Sequence, residues 1–176
     1  MGKEITGVVR HATLNDAGAI AAIYNEGIED RVATLETEMR SADERRTWLA
    51  VRDVYTPVYV VELNGEIAGW ASLNRFNPRP AYRFVADFSV YVARRCRGAG
   101  LGAILLDRLI ADAASLGYHK LVLAAFPFNL AGMRLYESRG FRQVGIYREQ
   151  GALDGKWVDT IVMELLLDDQ PPPGGP

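Results

Sequence analysis

The chain is short of thiols and imidazoles, with one cysteine, Cys96, and two histidines, His11 and His119, in 176 residues. A lone cysteine excludes an internal disulfide, and two isolated histidines without ligand-like partners leave no set for a metal centre. No apolar run approaches the roughly 18 residues needed to span a bilayer, and the first residues, Met1-Gly2-Lys3-Glu4, lack an apolar signal segment. A cytoplasmic protein with no membrane association is therefore expected. Net charge is also nearly missing. Twenty lysines and arginines against 22 aspartates and glutamates give −2, which argues against nucleic acid as a partner. The local cluster Arg94, Arg95 and Arg97 suits a single phosphate group better than a polyanion. Cys96 lies inside that cluster and is expected as an exposed thiol, but it has no second triad member to make it a catalytic nucleophile. The hydrophobic fraction of 49% and charged fraction of 24% are those of one soluble globular domain with a substantial core.

What the chain does have is a glycine-rich turn. Arg97-Gly98-Ala99-Gly100-Leu101-Gly102 follows the apolar run Phe88 to Val92 and opens a helical pattern from Ala103 to Ser115. Three glycines in five residues let several N–H groups converge at a helix start, where the helix dipole also favours an anion. Phosphate is the usual biological anion in that position. A P-loop is excluded because Gly102 is followed by Ala103-Ile104 instead of lysine and serine or threonine. A dinucleotide fold is disfavoured too, since the next strand candidate, Lys120 to Ala125, runs into Phe126-Pro127-Phe128 with no carboxylate. The pattern left is Arg-x-x-Gly-x-Gly, filled by Arg97, Gly100 and Gly102. A plain turn between a buried strand and a helix is the structural alternative.

The remaining elements alternate. A strand is expected over Thr6 to Arg10, then a helix from about Ala17 to Glu29 capped by the Thr13-Asp16 region. Ser41-Ala42-Asp43-Glu44 reads as a capping box opening a helix to about Val51. Pro57 to Leu63 and Ile67 to Leu73 form a hairpin about Asn64-Gly65. Strands at Ala86 to Val92 and Leu121 to Ala125 flank the helix that ends at Gly117. A further helix spans Asn129 to Ser138 and stops at Gly140, with strands at Phe141 to Gly145 and Trp157 to Leu167. The segment from Asp168 to Pro176, with four prolines and two glycines, is expected to be disordered.

The Arg97 to Gly102 loop resembles the acetyl-CoA pyrophosphate loop of the GNAT N-acetyltransferase superfamily. Four further stretches, in order around it, resemble the phosphinothricin and methionine sulfoximine acetyltransferase branch. These are Ile23-Tyr24-Asn25 with Ala33-Thr34-Leu35-Glu36, Pro78-Arg79-Pro80-Ala81-Tyr82-Arg83, Ser89-Val90-Tyr91-Val92, and Gly155-Lys156-Trp157-Val158-Asp159. The resemblance covers Val8 to Leu167. It implies an α/β (α+β) GNAT fold, with a mixed central sheet of about six to seven strands and about four helices, in one domain over residues 1–167. The implied donor is acetyl-CoA, held by Val90, Tyr91, Val92, Arg97, Gly98, Ala99, Gly100, Leu101, Gly102, Asn129 and Tyr136. A small amino-acid-like acceptor and a homodimer are implied as well, with no nucleic acid, membrane or metal.

Acetyl transfer to an amine needs a proton acceptor for the ammonium and a proton donor for the departing thiol. Asp87, just before the cofactor strand, stands where the branch usually has glutamate. Its side chain is shorter by one methylene, which favours a water relay; capping a strand end or pairing with Arg83 is its structural alternative. Tyr136 matches the helix position from which many GNAT enzymes protonate the thiolate, although the branch often has histidine there; packing against the sheet would also explain it. Asn129 could steady the cofactor or cap its helix. The acceptor carboxylate or phosphinate is assigned to Arg79, a bidentate partner in a loop stiffened by Pro78 and Pro80, with Asn77, Tyr82, Val85, Ala86 and Asp87 completing the substrate site. A solvated Arg79 is the plain alternative, and Arg75 and Arg83 are secondary candidates. Trp157 would wall the acceptor pocket or a subunit contact, or pack in the core. Two rivals stand beside this reading: a GNAT enzyme acting on protein, peptide or polyamine amines, and an acyl-CoA sensor without turnover. A cationic acceptor would prefer acidic residues where this chain has Arg75, Arg79 and Arg83.

Overall fold

The computed structural model describes residues 7–168. Over that range β1 (Val8–His11) leads into α1 (Ala17–Asp30) and α2 (Ala42–Ala50), then a hairpin of β2 (Val58–Leu63) and β3 (Glu66–Arg75). They are followed by β4 (Val85–Val92), α3 (Leu101–Ser115), β5 (Lys120–Ala125), α4 (Leu130–Ser138) and a second hairpin of β6 (Arg142–Leu153) and β7 (Lys156–Leu166). Thr6 and most of the expected tail fall outside the described residues. The seven strands form one sheet in the order β1-β2-β3-β4-β5-β7-β6. Every neighbouring pair is antiparallel except β4 and β5, which are parallel.

Side-chain periodicity assigns the two faces. On α3, Leu101, Leu105, Leu109 and Ala113 recur every four residues and are buried against Ala71, Leu73, Ala86, Phe88, Leu121 and Met163 of the sheet. Each such leucine contributes about 1.5–3 kcal/mol by leaving water. On the opposite face α1 and α2 cover β2 to β4, with Ile20, Ile23, Val58, Val60 and Trp70 at the centre. Trp70 stacks on Tyr91 at 5.0 Å, and Trp48 of α2 meets the Trp70 ring edge-on at 5.7 Å.

The local signals behave as their chemistry demands. Ser41 Oγ accepts from the Glu44 amide at 3.2 Å while a Glu44 carboxylate oxygen takes the Ser41 amide at 2.6 Å, so the capping box is present. Asn64 and Gly65 both adopt positive φ, 54° and 81°, as a two-residue hairpin turn requires. Asp154 and Gly155, at 50° and 75°, do the same between β6 and β7. That turn extends β6 to Leu153, eight residues past the expected end at Gly145. Other boundaries also move. Here β1 ends at His11, β3 starts at Glu66 and runs to Arg75, β4 starts at Val85, and α3 starts at Leu101 because Gly100 already serves as its N-cap.

Candidate active site

The feature that shapes the site is a split in the sheet. β4 and β5 pair only from Val85↔Lys120 to Asp87↔Val122, although β4 runs on to Val92 and β5 to Ala125. Beyond Asp87 the strands part. The Ala93 amide donates to the Ala68 carbonyl at 2.8 Å, so by antiparallel alternation the main-chain groups of Val90 and Val92 face away from β3, into the split. Arg97 Nε already holds the Val92 carbonyl at 3.2 Å.

The split opens into a cleft of about 440 Å³ lined by Val90, Val92, the glycine loop, Asn129, Leu135 and Tyr136. At its head Gly98 and Gly100 take φ of 77° and 80°, a left-handed conformation natural to glycine. The main-chain N–H groups of Gly98, Gly100, Leu101 and Gly102 donate to no acceptor among the described residues. Free donors at the start of a 15-residue helix are where an anion could be held. Nearby, Arg97 pairs with Asp30, and Arg94 with Glu29 at 3.0 Å and Asp30 at 2.7 Å. The arginine cluster expected to serve a phosphate is therefore largely engaged by the end of α1. Arg94, then Arg97, hold the Asp30 carboxyl below the ordinary carboxylate range. Cys96, expected to be exposed, is half-buried between both core clusters because the turn at 94–96 folds it inward.

The cofactor-side candidates divide by chemistry. Val90 and Val92 pack their side chains beside α3 and α4. Tyr91 points to the other face, stacked on Trp70 and edge-on to Tyr24 at 5.0 Å, and burial pushes its hydroxyl pKa up. The Asn129 side-chain oxygen accepts from the Gly132 amide at 3.0 Å, so the cap is real and only the NH2 end of that side chain is left for a ligand. Tyr136 packs edge-on to Phe88 at 5.9 Å and Phe141 at 6.1 Å, with burial raising its pKa and keeping the phenol protonated.

Asp87 sits at the vertex of the split. Adjacent residues on a strand face opposite ways, so Asp87 and its neighbour Phe88, which touches Tyr136, serve opposite faces of β4. Burial raises the Asp87 pKa, opposed by a hydrogen bond from Asn74 and by the charge of Arg52. Arg83, which the structural alternative would pair with it, is elsewhere, donating to the Pro80 carbonyl at 3.3 Å and lying 4.3 Å over the Phe84 ring. Ala86 is fully buried in the α3-side core, so its side chain is packing and not part of an acceptor surface. Val85 opens β4 half-buried, and Tyr82 lies near Phe76 at 5.6 Å.

In the loop between β3 and β4, Asn77 Oδ1 accepts from the Arg79 amide at 3.0 Å, an Asx turn that sets the loop's shape. Arg75 is tied to Asp53 at 2.6 Å. The Arg79 guanidinium is exposed and makes no ion pair or hydrogen bond among the described residues. Trp157 is 69% exposed, which excludes a core role for it in this chain. Two groups escaped the sequence reading. Arg52 and Asn74 converge behind Asp87, and the clue available was a polar residue directly after the apolar run Ile67 to Leu73. Over the cleft, the loop after α1 reaches the β6–β7 hairpin: Arg31 pairs with Asp154 at 3.4 Å, and Leu35 lies where a Cβ on Gly151 would collide at 2.7 Å.

Comparisons with known proteins bear on the family and the fold. The sequence profile described as the acetyltransferase (GNAT) family matches residues 20–141. An L-methionine sulfoximine/L-methionine sulfone acetyltransferase of Salmonella typhimurium is 34% identical over 166 residues, 94% of this chain and 97% of that protein. A phosphinothricin N-acetyltransferase of Alcaligenes faecalis is 34% identical over 162 residues, 91% of this chain and 82% of that one. Among solved structures, an acetyltransferase from Salmonella typhimurium with its cofactor acetyl-CoA superposes with a TM-score of 0.92 at 33% identity, covering 96% of this chain and 98% of its own.

Proposed function

The chain belongs to the GNAT acetyltransferase family, and we propose that it transfers acetyl from acetyl-CoA to the α-amine of a small amino acid or an analogue such as phosphinothricin or methionine sulfoximine. The observation that carries this is the row of free amides at 98, 100, 101 and 102, heading a cleft along the part of β4 that lies beyond the half-buried Asp87, where β4 and β5 separate. The donor supplies an acetyl thioester. Its diphosphate suits the glycine loop, and its amide-bearing arm suits the outward main-chain groups of Val90 and Val92, in the manner of an added strand.

The residues then divide the proton work. Asp87 takes a proton from the acceptor ammonium, directly or through one water, so that the nitrogen can attack the thioester carbonyl. As the carbon–sulfur bond breaks, Tyr136 gives its phenolic proton to the thiolate and is reprotonated through water by the second proton that the acylated nitrogen sheds, while the proton held by Asp87 returns to solvent. Arg79 binds the acceptor's carboxylate or phosphinate. Attack is direct within a ternary complex, because Cys96, the chain's thiol, is half-buried and lacks a partner base.

A cytoplasmic homodimer completes the reading. Val144, Ile146 and Tyr147 on the edge strand β6, with Trp157 on β7, are exposed apolar groups that support a subunit contact. Sedimentation of the wild type and of Trp157→Glu tests it, with a wild-type monomer at micromolar concentration refuting the contact. Thiol release with acetyl-CoA and a panel of phosphinothricin, methionine sulfoximine, methionine sulfone, a polyamine and an N-terminal peptide tests the activity. Turnover confined to the polyamine or the peptide overturns the acceptor class, and binding of acetyl-CoA without any stimulated release makes the protein a sensor.

A further inference from the structure

Asp87 is approached from behind by a short polar chain. Asn74 on β3 is its register partner, so the two side chains stand next to each other on the face covered by α1 and α2. Arg52, just past the end of α2, reaches onto the same face. Its Nε donates to the Thr56 carbonyl at 2.8 Å, and one terminal nitrogen donates both to the Leu73 carbonyl and to Asn74 Oδ1, the latter at 2.9 Å. Ser72 Oγ donates to the same Asn74 oxygen at 3.2 Å.

Guanidinium has donors and no acceptor, so the Asn74 atom facing Arg52 must be the amide oxygen. The NH2 end is thereby turned toward β4, where it approaches Ser89 Oγ at 3.5 Å and stands beside its register partner Asp87. Held this way, Asn74 can only give a hydrogen bond to Asp87, which favours the ionised carboxylate. An interposed amide has a consequence that a direct ion pair would not. A guanidinium in contact depresses a carboxyl by about 1–3 pKa units and weakens it as a base, whereas the amide orients it and leaves it basic.

The surroundings of Asp87 contain little else that is charged. From β5 its register partner is the apolar Val122, and along β4 the next residue on its face is Ser89. Arg52 is itself influenced by Asp53, which is bound to Arg75, and by Tyr118. Burial lowers the Arg52 pKa without bringing it near neutrality, since a guanidinium stays protonated.

The geometry points to Asn74, locked by Arg52, as a positioning residue that orients Asp87 and sets the pH range over which Asp87 accepts a proton. The rate part of this rests on Asp87 being the base, as read above; the hydrogen-bond part does not.

Two readouts separate them: the pH profile of kcat/KM, and the titration of the Asp87 carboxyl followed by carbon-13 NMR in the ligand-free protein. In Asn74→Ala and Arg52→Met, both the acid limb and the carboxyl titration move to higher pH, with the KM for acetyl-CoA unchanged. Arg52→Lys keeps a charge and a donor for the Asn74 oxygen, and returns both toward wild type; it also serves if Arg52→Met melts too low to assay. A carboxyl titration unmoved in Asn74→Ala overturns the proposal. A titration that moves while the rate limb stays, together with an active Asp87→Asn, supports the hydrogen-bond chain and refutes Asp87 as the base.

Discussion

Replacing Gly102 by alanine separates the stability of the fold from the use of the cleft. Gly102 is the second residue of α3, and a Cβ there would stand 3.4 Å from Leu135 Cδ2, 3.8 Å from Val92 Cγ2 and 4.0 Å from Val90 Cγ1. Those are ordinary contacts, so the empty protein accommodates the methyl. Alanine is better than glycine in a helix by up to about 1 kcal/mol. For a chain of this size that gain raises Tm by about 2–4 °C. The same methyl points into the gap between β4 and α4 that lines the cleft. If the arm of acetyl-CoA passes there, overfilling the gap costs about 1–3 kcal/mol, and the KM for acetyl-CoA rises about 5- to 150-fold. Thermal melting without ligand and steady-state thiol release at varied acetyl-CoA measure the two effects. A higher Tm with an unchanged KM would refute the assigned path of the donor.

Three further perturbations test other parts of the site and the fold. Tyr136→Phe keeps the ring on Phe88 and Phe141 and removes only the hydroxyl, so Tm holds while kcat falls about 100-fold or more; an unchanged kcat reduces Tyr136 to packing. Arg79→Ala raises the acceptor KM about 10- to 100-fold by removing a charged hydrogen bond of about 1.5–3 kcal/mol, whereas Arg75→Ala, whose guanidinium is tied to Asp53, leaves it unchanged; equal effects in acceptor titrations would refute Arg79 as the anchor. Asp16 accepts from Arg10 at 2.8 and 2.9 Å and from the Thr13 amide at 2.7 Å, and the Arg10 bonds hold its carboxyl below the ordinary carboxylate range. Its stabilisation is present above the unfolded value near 3.9 and fades as pH falls through the depressed folded value. Asp16→Ala thus costs about 2 kcal/mol in urea unfolding at pH 7, less than a fully buried pair because Arg10 is partly exposed, and costs little below the folded value; an equal loss at both pH values would refute the linkage.

Legibility in the sequence followed the range of the interactions. The capping box at Ser41 and the Asn64-Gly65 turn are decided within four residues, and both stood out. Asp154-Gly155 carries the same turn signal but was overshadowed, because β6 leading into it has no alternation to read. Tyr147, Arg148, Glu149 and Gln150 all face solvent, and the register slips between Tyr147 and Gly151 with Glu149 at φ 51°. The glycine loop was legible because its chemistry belongs to consecutive residues. Arg52 and Asn74 were not, since what matters about them is a pairing across 22 residues and a register with Asp87 that only the sheet supplies. The arginine cluster misled for the same reason. Nothing near Arg94 and Arg97 in sequence reveals that the end of α1 lies against them.

One strand unifies the site. A strand that runs on past its neighbour carries unpaired main-chain groups, a cost that buried backbone rarely bears without a partner. β4 bears it because β5 is drawn away by β7, with which it pairs along its whole length from Lys120↔Leu166 to Ala125↔Ile161, leaving only three residues of β4 matched. An amide-bearing ligand laid along Val90 and Val92 would satisfy those groups, and ligand binding would then stabilise the native state in proportion to RT ln(1 + [L]/Kd). The position of Asp87 follows from the same divergence. It is the last residue of β4 paired with β5, so its backbone is held from both sides while the strand just beyond it is paired only with β3, and a reacting group carried along β4 would stop against a carboxylate that stands beside Asn74 of β3.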